Sequence, residues 1–189
     1  MAAESLVNRV SAFVRQGHLH CGVFPLKIER RWAMPNHRTF SINPISDFLE
    51  RNLAGMPKEH IVDPFSGESD IAGVRNDLRF GGVDALDFLR VFEDESVLTL
   101  LFDPPYSLRQ LKECYDGIGK AMTQHESQHF FSDLKNEISR IMAPGGMVIS
   151  FGWTSQGMGL NRGFDIQEIL LVPHGGIHND TICVMETKR

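Results

Sequence analysis

Apolar residues recur at helical spacing in the segment that follows Asn43. They predict a helix over about 44–54, with Asn43 as its cap and Pro44 at its first position. The stripe consists of Ile45, Phe48, Leu49 and Leu53. Similar but weaker stripes predict three more helices, at 3–16, 87–92 and 131–142.

Short apolar runs between these helices predict strands. The clearest is 97–102, which is apolar on both faces, as a buried parallel strand must be. Other strands are expected to end near Val62 and Arg75, and to cover 147–151, 168–172 and 181–185. Because strands alternate with helices and a strand pair closes the chain, we expect an α/β fold. Its sheet is expected to be doubly wound and mostly parallel, with a terminal antiparallel pair.

Composition is that of an ordinary globular protein and excludes several classes. The chain has 189 residues, of which 42% are hydrophobic, and a formal charge of −5. No apolar run approaches the roughly 18 residues of a membrane span, and no secretory signal is evident, so we expect a cytoplasmic protein without a membrane partner. Three widely spaced cysteines argue against both a disulfide scaffold and a cysteine zinc site.

Charge is distributed unevenly along the chain. Residues 1–40 carry six Lys and Arg against two acidic residues, a net charge of +4, whereas the remainder carries −9. We therefore expect a basic N-terminal extension over 1–33 and a single domain over 34–189. The extension would either contact nucleic acid or form an ordinary solvated surface. The short cluster of His18, His20 and Cys21 has no partner cluster, and we expect no metal site.

The strand at 97–102 is followed directly by Asp103-Pro104-Pro105-Tyr106. Two consecutive prolines restrict the backbone and remove two N–H donors, which leaves a stiff bracket holding a carboxylate and exposed carbonyls. Asp103 and the Pro104 carbonyl can each accept one hydrogen of an amino group, while Tyr106 can stack on the attached ring. Such contacts would make the amine nitrogen a better nucleophile in the transition state. The alternative is a proline turn that merely ends a strand.

Acidic residues also follow the other expected strands. Asp63-Pro64-Phe65-Ser66-Gly67 follows the first, and its carboxylate and glycine turn suit a ligand with an ammonium group. Asp77 follows the second strand and is placed to bind ribose hydroxyls, and Asp84 to contact an adenine amine. Each alone is also explained as a turn or cap residue. Their order at successive strand ends, where ligands bind in such sheets, favours one site.

These motifs resemble those of the adenine-specific DNA methyltransferases, amino-methyltransferases that use S-adenosylmethionine. Asp103-Pro104-Pro105-Tyr106 matches their catalytic motif, and 63–67 resembles their first cofactor motif. The stretch from Thr39 to Ile45 resembles the preceding motif, which implies cofactor contacts at Phe40 and Pro44. The segment 175–181 is similar to the end of small phage and prophage members. The resemblance implies a Rossmann-like fold, S-adenosyl-L-methionine as cofactor, and DNA with a flipped adenine as partner.

The chain departs from that family in two places. The family's second motif glycine is replaced within Gly67-Glu68-Ser69, and only 14 positions separate Asp63 from Asp77, too few for a crossover helix. There is also no room for a separate target-recognition domain. Recognition would then fall to the basic arm, to a loop over 107–129, or to a second subunit in a homodimer.

Three functions are compatible with these residues. The first is transfer of a methyl group from S-adenosylmethionine to the exocyclic amine of adenine in DNA, with Asp103, the Pro104 carbonyl and Tyr106 as the catalytic bracket. The second is methylation of a base amine in RNA. The third is a module that binds S-adenosylmethionine or nucleic acid without catalysis, against which the intact Asp103 and Tyr106 argue.

Overall fold

A computed structural model describes residues 25–120 and 122–189. One sheet of seven strands forms its centre. The strands are β1 (Lys27–Arg30), β2 (Ile61–Asp63), β3 (Val74–Arg75), β4 (Val97–Phe102), β5 (Met142–Gly152), β6 (Phe164–Val172) and β7 (Thr181–Lys188). Their order across the sheet is β1-β6-β7-β5-β4-β2-β3.

Strand direction confirms the predicted fold class. The pairs β2–β3, β2–β4, β4–β5 and β1–β6 are parallel. Only β7 runs against its neighbours, pairing antiparallel with both β5 and β6. The central strand β4 spans the predicted residues, and all of them are buried except the partly exposed Leu98. The fold is therefore α/β with a mostly parallel sheet and a terminal antiparallel pair.

Helices cover both faces of the sheet. They are α1 (Asn43–Asn52), α2 (Ala85–Arg90), α3 (Leu108–Gly117) and α4 (Gln124–Ile141). Leu89, Leu111 and Leu134 place α2, α3 and α4 in the hydrophobic core on one face. Ile45 and Phe48 place α1 in the core on the other face. This two-sided packing is the doubly wound arrangement, with ligand space expected at the carboxyl ends of the strands.

The segment 107–129, predicted to be a loop, is mostly helical. Ser107 caps α3 by accepting a hydrogen bond from the Gln110 amide. A capping box between Thr123 and Glu126 starts α4 seven residues before the predicted helix at 131–142. The prediction was wrong because the first turns of α4 carry few apolar residues, so the stripe became visible only from Phe131.

Helix α1 begins slightly earlier than predicted. Ile42 is its N-cap, so Asn43 lies inside the first turn and does not cap it, and Pro44 follows in the same turn. The short connection between β2 and β3 contains no α-helix, as the spacing of Asp63 and Asp77 indicated.

Strand β1 was not predicted, and it joins the sheet across the expected boundary at residue 33. It pairs in parallel with β6, from Lys27 opposite Glu168 to Arg30 opposite Leu171. At least residues 27–30 therefore belong to the domain and not to a separate extension. The expected helix at 3–16 and the cluster of His18, His20 and Cys21 lie outside the described residues. No helix in the described part of the chain is long and apolar enough to cross a membrane.

Candidate active site

A cleft of about 800 Å³ lies at the carboxyl ends of β2, β3 and β4. Each of these strands contributes the residues that come directly after it. The lining includes Pro64, Phe65, Asp77 and all four residues of Asp103-Pro104-Pro105-Tyr106. The cleft thus brings together residues from all three predicted strand-end motifs. Its opposite walls come from the segment before α1 and from α3.

Asp103 is bound by side chains on two sides. The Tyr106 hydroxyl donates a hydrogen bond to Asp103 Oδ1 at 2.6 Å. Thr39, in the turn before α1, also hydrogen-bonds to the Asp103 carboxyl. Burial raises the pKa of Asp103 to about 6, and the bonds from Tyr106 and Thr39 act in the opposite direction. At neutral pH the carboxyl is therefore mainly ionised, as a hydrogen-bond acceptor for an amine requires.

Tyr106 is fixed by its backbone as well as by its hydroxyl. Its backbone N–H donates to Gln110 Oε1 at 2.8 Å, so α3 holds the end of the proline bracket. Its ring meets the half-exposed Trp153 edge to face, with ring centroids 5.9 Å apart. Burial and the Asp103 carboxylate raise the pKa of Tyr106 well above its usual range, so the hydroxyl remains a donor.

Asp63 is fully buried at the end of β2. Its Oδ1 accepts a hydrogen bond from the Phe65 amide at 2.9 Å. Within the described residues, its buried Oδ2 has no hydrogen-bond partner. Burial, opposed by the Phe65 bond and assisted by the charges of Asp103 and Asp77, raises the pKa of Asp63 to about 8. A cationic or hydrogen-bond-donating ligand nearby would stabilise the ionised form of this carboxyl.

Asp77 organises the turn that follows β2. Its Oδ2 accepts a bond from the Gly67 amide at 3.0 Å, and Gly67 has a positive φ of 53° that suits glycine. Its Oδ1 accepts a bond from the Arg79 amide at 2.9 Å. The Arg79 guanidinium is also paired with this carboxylate. Asp77 lines the cleft, but a ribose would have to share it with Arg79.

Asp63 is not part of the cleft lining, and five other predicted cofactor residues also lie outside it. Phe40 packs against Phe151, with ring centroids 4.9 Å apart, and Pro44 is buried in the first turn of α1. Ser66 is buried and its amide bonds to the Asn76 carbonyl, while the Gly67 amide is bound to Asp77. These residues shape the turn and wall behind the cleft.

The fifth residue, Asp84, is already engaged by protein groups. It caps α2 by accepting a bond from the Leu86 amide at 3.1 Å. Its other oxygen accepts the hydroxyl of Tyr115 at 2.5 Å. An adenine amine would therefore have to compete with Tyr115 for this carboxylate. In the structure Asp84 is therefore a helix cap, which is the alternative that the sequence also allowed.

Several lining residues were missed by sequence reasoning. Thr39 and Gln110 hold the two ends of the bracket, and Tyr115 and Phe130 form an aromatic wall together with Phe65, which the sequence did indicate. The helical spacing of residues 110, 113, 114 and 117 on one face of α3 could have signalled the part of the lining that this helix contributes, but the sequence pattern predicts a loop there.

The described part of the basic N-terminal region is largely neutralised within the chain. Lys27 pairs with Glu168, Arg31 with Asp47, and Arg38 with Glu68. The buried Glu168 also accepts a bond from Arg51. The contacts of Lys27, Arg31 and Arg51 join the β1 region to α1 and β6, and Arg38 contacts the turn after β2, so these basic residues contribute to packing of the domain.

No protein-family model and no curated protein matches the sequence. Among solved structures, a candidate DNA modification methylase from Thermus thermophilus is 19% identical over 56% of this chain, with a TM-score of 0.37. The match spans about half the length of that methylase. TrmN from Thermus thermophilus is 14% identical over 97% of this chain and 78% of its own, with a TM-score of 0.44. NSun6 from Pyrococcus horikoshii, solved with SFG, is 12% identical over 98% of this chain and 51% of its own, with a TM-score of 0.42. Resemblances of this extent say nothing about the reaction.

Proposed function

We propose that the chain is a methyltransferase that uses S-adenosyl-L-methionine. Within that class, we assign it transfer of a methyl group to the exocyclic amine of adenine in DNA. The observation that carries the proposal is the position of Asp103-Pro104-Pro105-Tyr106. The bracket lines a cleft at the carboxyl end of the central strand β4, beside the acidic ends of β2 and β3.

The residues of the cleft fit such a cofactor. Asp63 is buried outside the lining, next to the lining residue Pro64, and its Oδ2 has no partner in the described part of the chain, so it would suit an ammonium donor that reached it. Asp77 offers a carboxylate to a ribose, and Phe65, Tyr115 and Phe130 offer apolar surface to an adenine ring. The bound cofactor would supply a methyl group on a positively charged sulfur, which becomes a neutral thioether as the methyl leaves. The carboxylates of Asp103 and Asp77, which line the cleft, would favour that positive charge.

Asp103 and the Pro104 carbonyl would hold the target amine. Asp103 accepts one amine hydrogen and the carbonyl accepts the other, which draws the nitrogen lone pair out of conjugation with the ring. As nitrogen bonds to the methyl carbon it must lose one proton, and Asp103 is placed to receive it. A duplex hides this amine, so the base must leave the stack to reach the cleft. Tyr106 then exchanges its hydroxyl contact with Asp103 for contact with the base.

A methylation assay with labelled cofactor tests the proposal directly. Duplex DNA, single-stranded DNA and RNA would be offered in parallel, and the product identified as a modified nucleoside. We expect N6-methyladenine in DNA. Labelled RNA with unlabelled DNA would support the second function. Cofactor binding without any labelled product would support a binding module, provided that Asp103→Ala then binds and behaves as the wild type does.

A further inference from the structure

Gln110 faces the cleft with its amide oriented by the protein. A backbone N–H can only donate, so the Tyr106 N–H must be accepted by Gln110 Oε1, and their distance is 2.8 Å. The Gln110 Nε2 group is therefore the free end. Within residues 25–120 and 122–189, no protein group accepts a hydrogen bond from it, and Gln110 lines the cleft beside the bracket. The cleft thus holds one oriented donor close to its two amine acceptors.

This arrangement has a defined hydrogen-bond pattern. Asp103 and the Pro104 carbonyl accept from an amine, and Gln110 Nε2 donates. On the Watson–Crick edge of adenine, an amine lies beside a ring nitrogen that accepts a hydrogen bond. Cytosine also has an amine beside an accepting ring nitrogen. On the same edge of guanine, the amine lies beside a ring N–H, which donates. This N–H would face the Nε2 group of Gln110, which also donates, so no hydrogen bond could form between them.

We infer that Gln110 determines base specificity by donating to the ring nitrogen beside the target amine, so that the cleft accepts adenine or cytosine and rejects guanine. This inference rests on the proposed function. Because Gln110 also holds the Tyr106 backbone, it has two roles that must be separated. Gln110→Glu does so, since one carboxylate oxygen still accepts from Tyr106 while the other faces the base as an acceptor.

Two oligonucleotides provide the probe. They carry adenine or 1-deazaadenine at the position where the wild type places its methyl group, and 1-deazaadenine replaces the accepting ring nitrogen by C–H. The wild type should methylate adenine at least about tenfold faster than 1-deazaadenine, because the hydrogen bond from Gln110 Nε2 to the ring nitrogen is lost. In Gln110→Glu the carboxylate opposes the ring nitrogen, so this preference should disappear or invert. Comparing the two rate ratios cancels the intrinsic reactivity of the analogue.

Glu113→Gln is the matched control. Glu113 lies on the same face of α3 and lines the cleft, but it does not bind the bracket. This variant should keep the wild-type preference for adenine whatever its absolute rate. Gln110→Met is the second variant, which loses both roles and should be slow on both oligonucleotides. Thermal melts and cofactor affinity equal to wild type establish that each variant is folded.

The outcomes separate this inference from the proposed function. Adenine product with an unchanged preference in Gln110→Glu overturns the role of Gln110 and leaves the proposed function intact. A product on guanine overturns the inference directly. The absence of any base product overturns the proposed function and the inference with it.

Discussion

The hydroxyl of Tyr106 donates a hydrogen bond to the carboxylate of Asp103, with 2.6 Å between the two oxygens. The first and last residues of the proline bracket are thereby joined. The sequence predicted that Tyr106 acts through its ring alone. In the structure its hydroxyl also lowers the pKa of Asp103, although burial keeps the value raised at about 6. The two residues therefore have to be tested together.

Asp103→Ala should abolish methyl transfer and leave cofactor affinity within a few-fold. The lost contacts would form mainly with the target amine, so the barrier rises without a change in cofactor binding. Removal of one such preorganised group typically costs about 10²–10³ in turnover. Turnover is measured with labelled cofactor, and affinity by calorimetry. Wild-type turnover in this variant would exclude the proposed mechanism.

Tyr106→Phe should shift the pH dependence of the reaction. Asp103 must be ionised to accept the amine hydrogen, so the rate falls as pH drops through a pKa of about 6. Removing the Tyr106 hydroxyl removes a bond that favours the ionised form, so that pKa rises and the acidic limb moves to higher pH. The pH profile of kcat/KM measures the shift, because it reports the pKa of the free enzyme, in which Tyr106 binds Asp103. A limb that stays in place would mean that the hydroxyl does not act on Asp103.

Tyr106→Ala separates the ring from the hydroxyl. It should share the pH shift of Tyr106→Phe and also weaken target binding, because base stacking on an aromatic ring contributes about 1–3 kcal/mol. Binding of a target oligonucleotide by both variants provides the comparison. If Tyr106→Phe and Tyr106→Ala weakened binding of the oligonucleotide equally, the whole effect would be due to the hydroxyl and not to the ring.

The sequence predicted β4 and its bracket because both signals are local. Five apolar residues and Thr99, on both faces, define a buried strand, and two prolines define the stiff segment after it. Helix α3 was missed because only Leu111 and Tyr115 are buried in it, too few for a visible stripe. The contacts of Thr39 and Gln110 with the bracket depend on how distant elements pack, and no local pattern encodes them.

Edge strand β1 was also missed because no local sequence pattern predicts it. Its four residues are mostly exposed and charged, so they lack the apolar pattern of a strand. Pairing with β6 and the contact of Lys27 with the buried Glu168 hold it in the sheet. Lys27 and Arg30, which the sequence placed in a free arm, thus belong to the domain because of partners on β6, more than 100 positions away.

Asp63→Asn should make stability less dependent on pH. The folded pKa of about 8 lies above the usual value near 3.9, so the folded state keeps a proton that the unfolded state loses. The stability from this proton is present below about pH 4 and is lost as pH rises toward 8. Thermal melts from pH 5 to 9 should therefore show a smaller decline in the variant than in the wild type. Parallel curves would mean that Asp63 is not protonated in the folded state.

Asp77→Ala should weaken cofactor binding. A hydrogen bond to a charged group contributes about 1.5–3 kcal/mol, and the variant also frees the Gly67 amide. Arg79→Ala is the matched control, since it removes the competing guanidinium and leaves the carboxylate. It should bind the cofactor at least as tightly as the wild type. Equal loss in both variants would show that the ion pair supports the turn and that Asp77 does not bind the ribose.

Deletion of residues 2–24 tests whether the N-terminal region binds nucleic acid. The deletion must stop before Lys27, because a longer one would remove β1 and its bond to Glu168. Arg9 and Arg15 are lost, and each phosphate neutralised contributes about 0.9 to the slope of log affinity against log salt. DNA affinity should fall, and the slope should decrease by at most about two units, while cofactor affinity persists.

The full chain carrying Arg9→Ala and Arg15→Ala is the control for that deletion. If the effect of the deletion on DNA binding is due to the charge of these two residues alone, the double variant should show the same smaller salt slope. The reason is that the number of counterions released on binding depends on the number of phosphates neutralised. Arg30→Ala adds to the comparison an exposed basic residue of β1 that, unlike Lys27, is not paired with Glu168. Affinity and slope equal to wild type in all three would place DNA recognition elsewhere, and the wall that α3 contributes to the cleft is then the surface to test next.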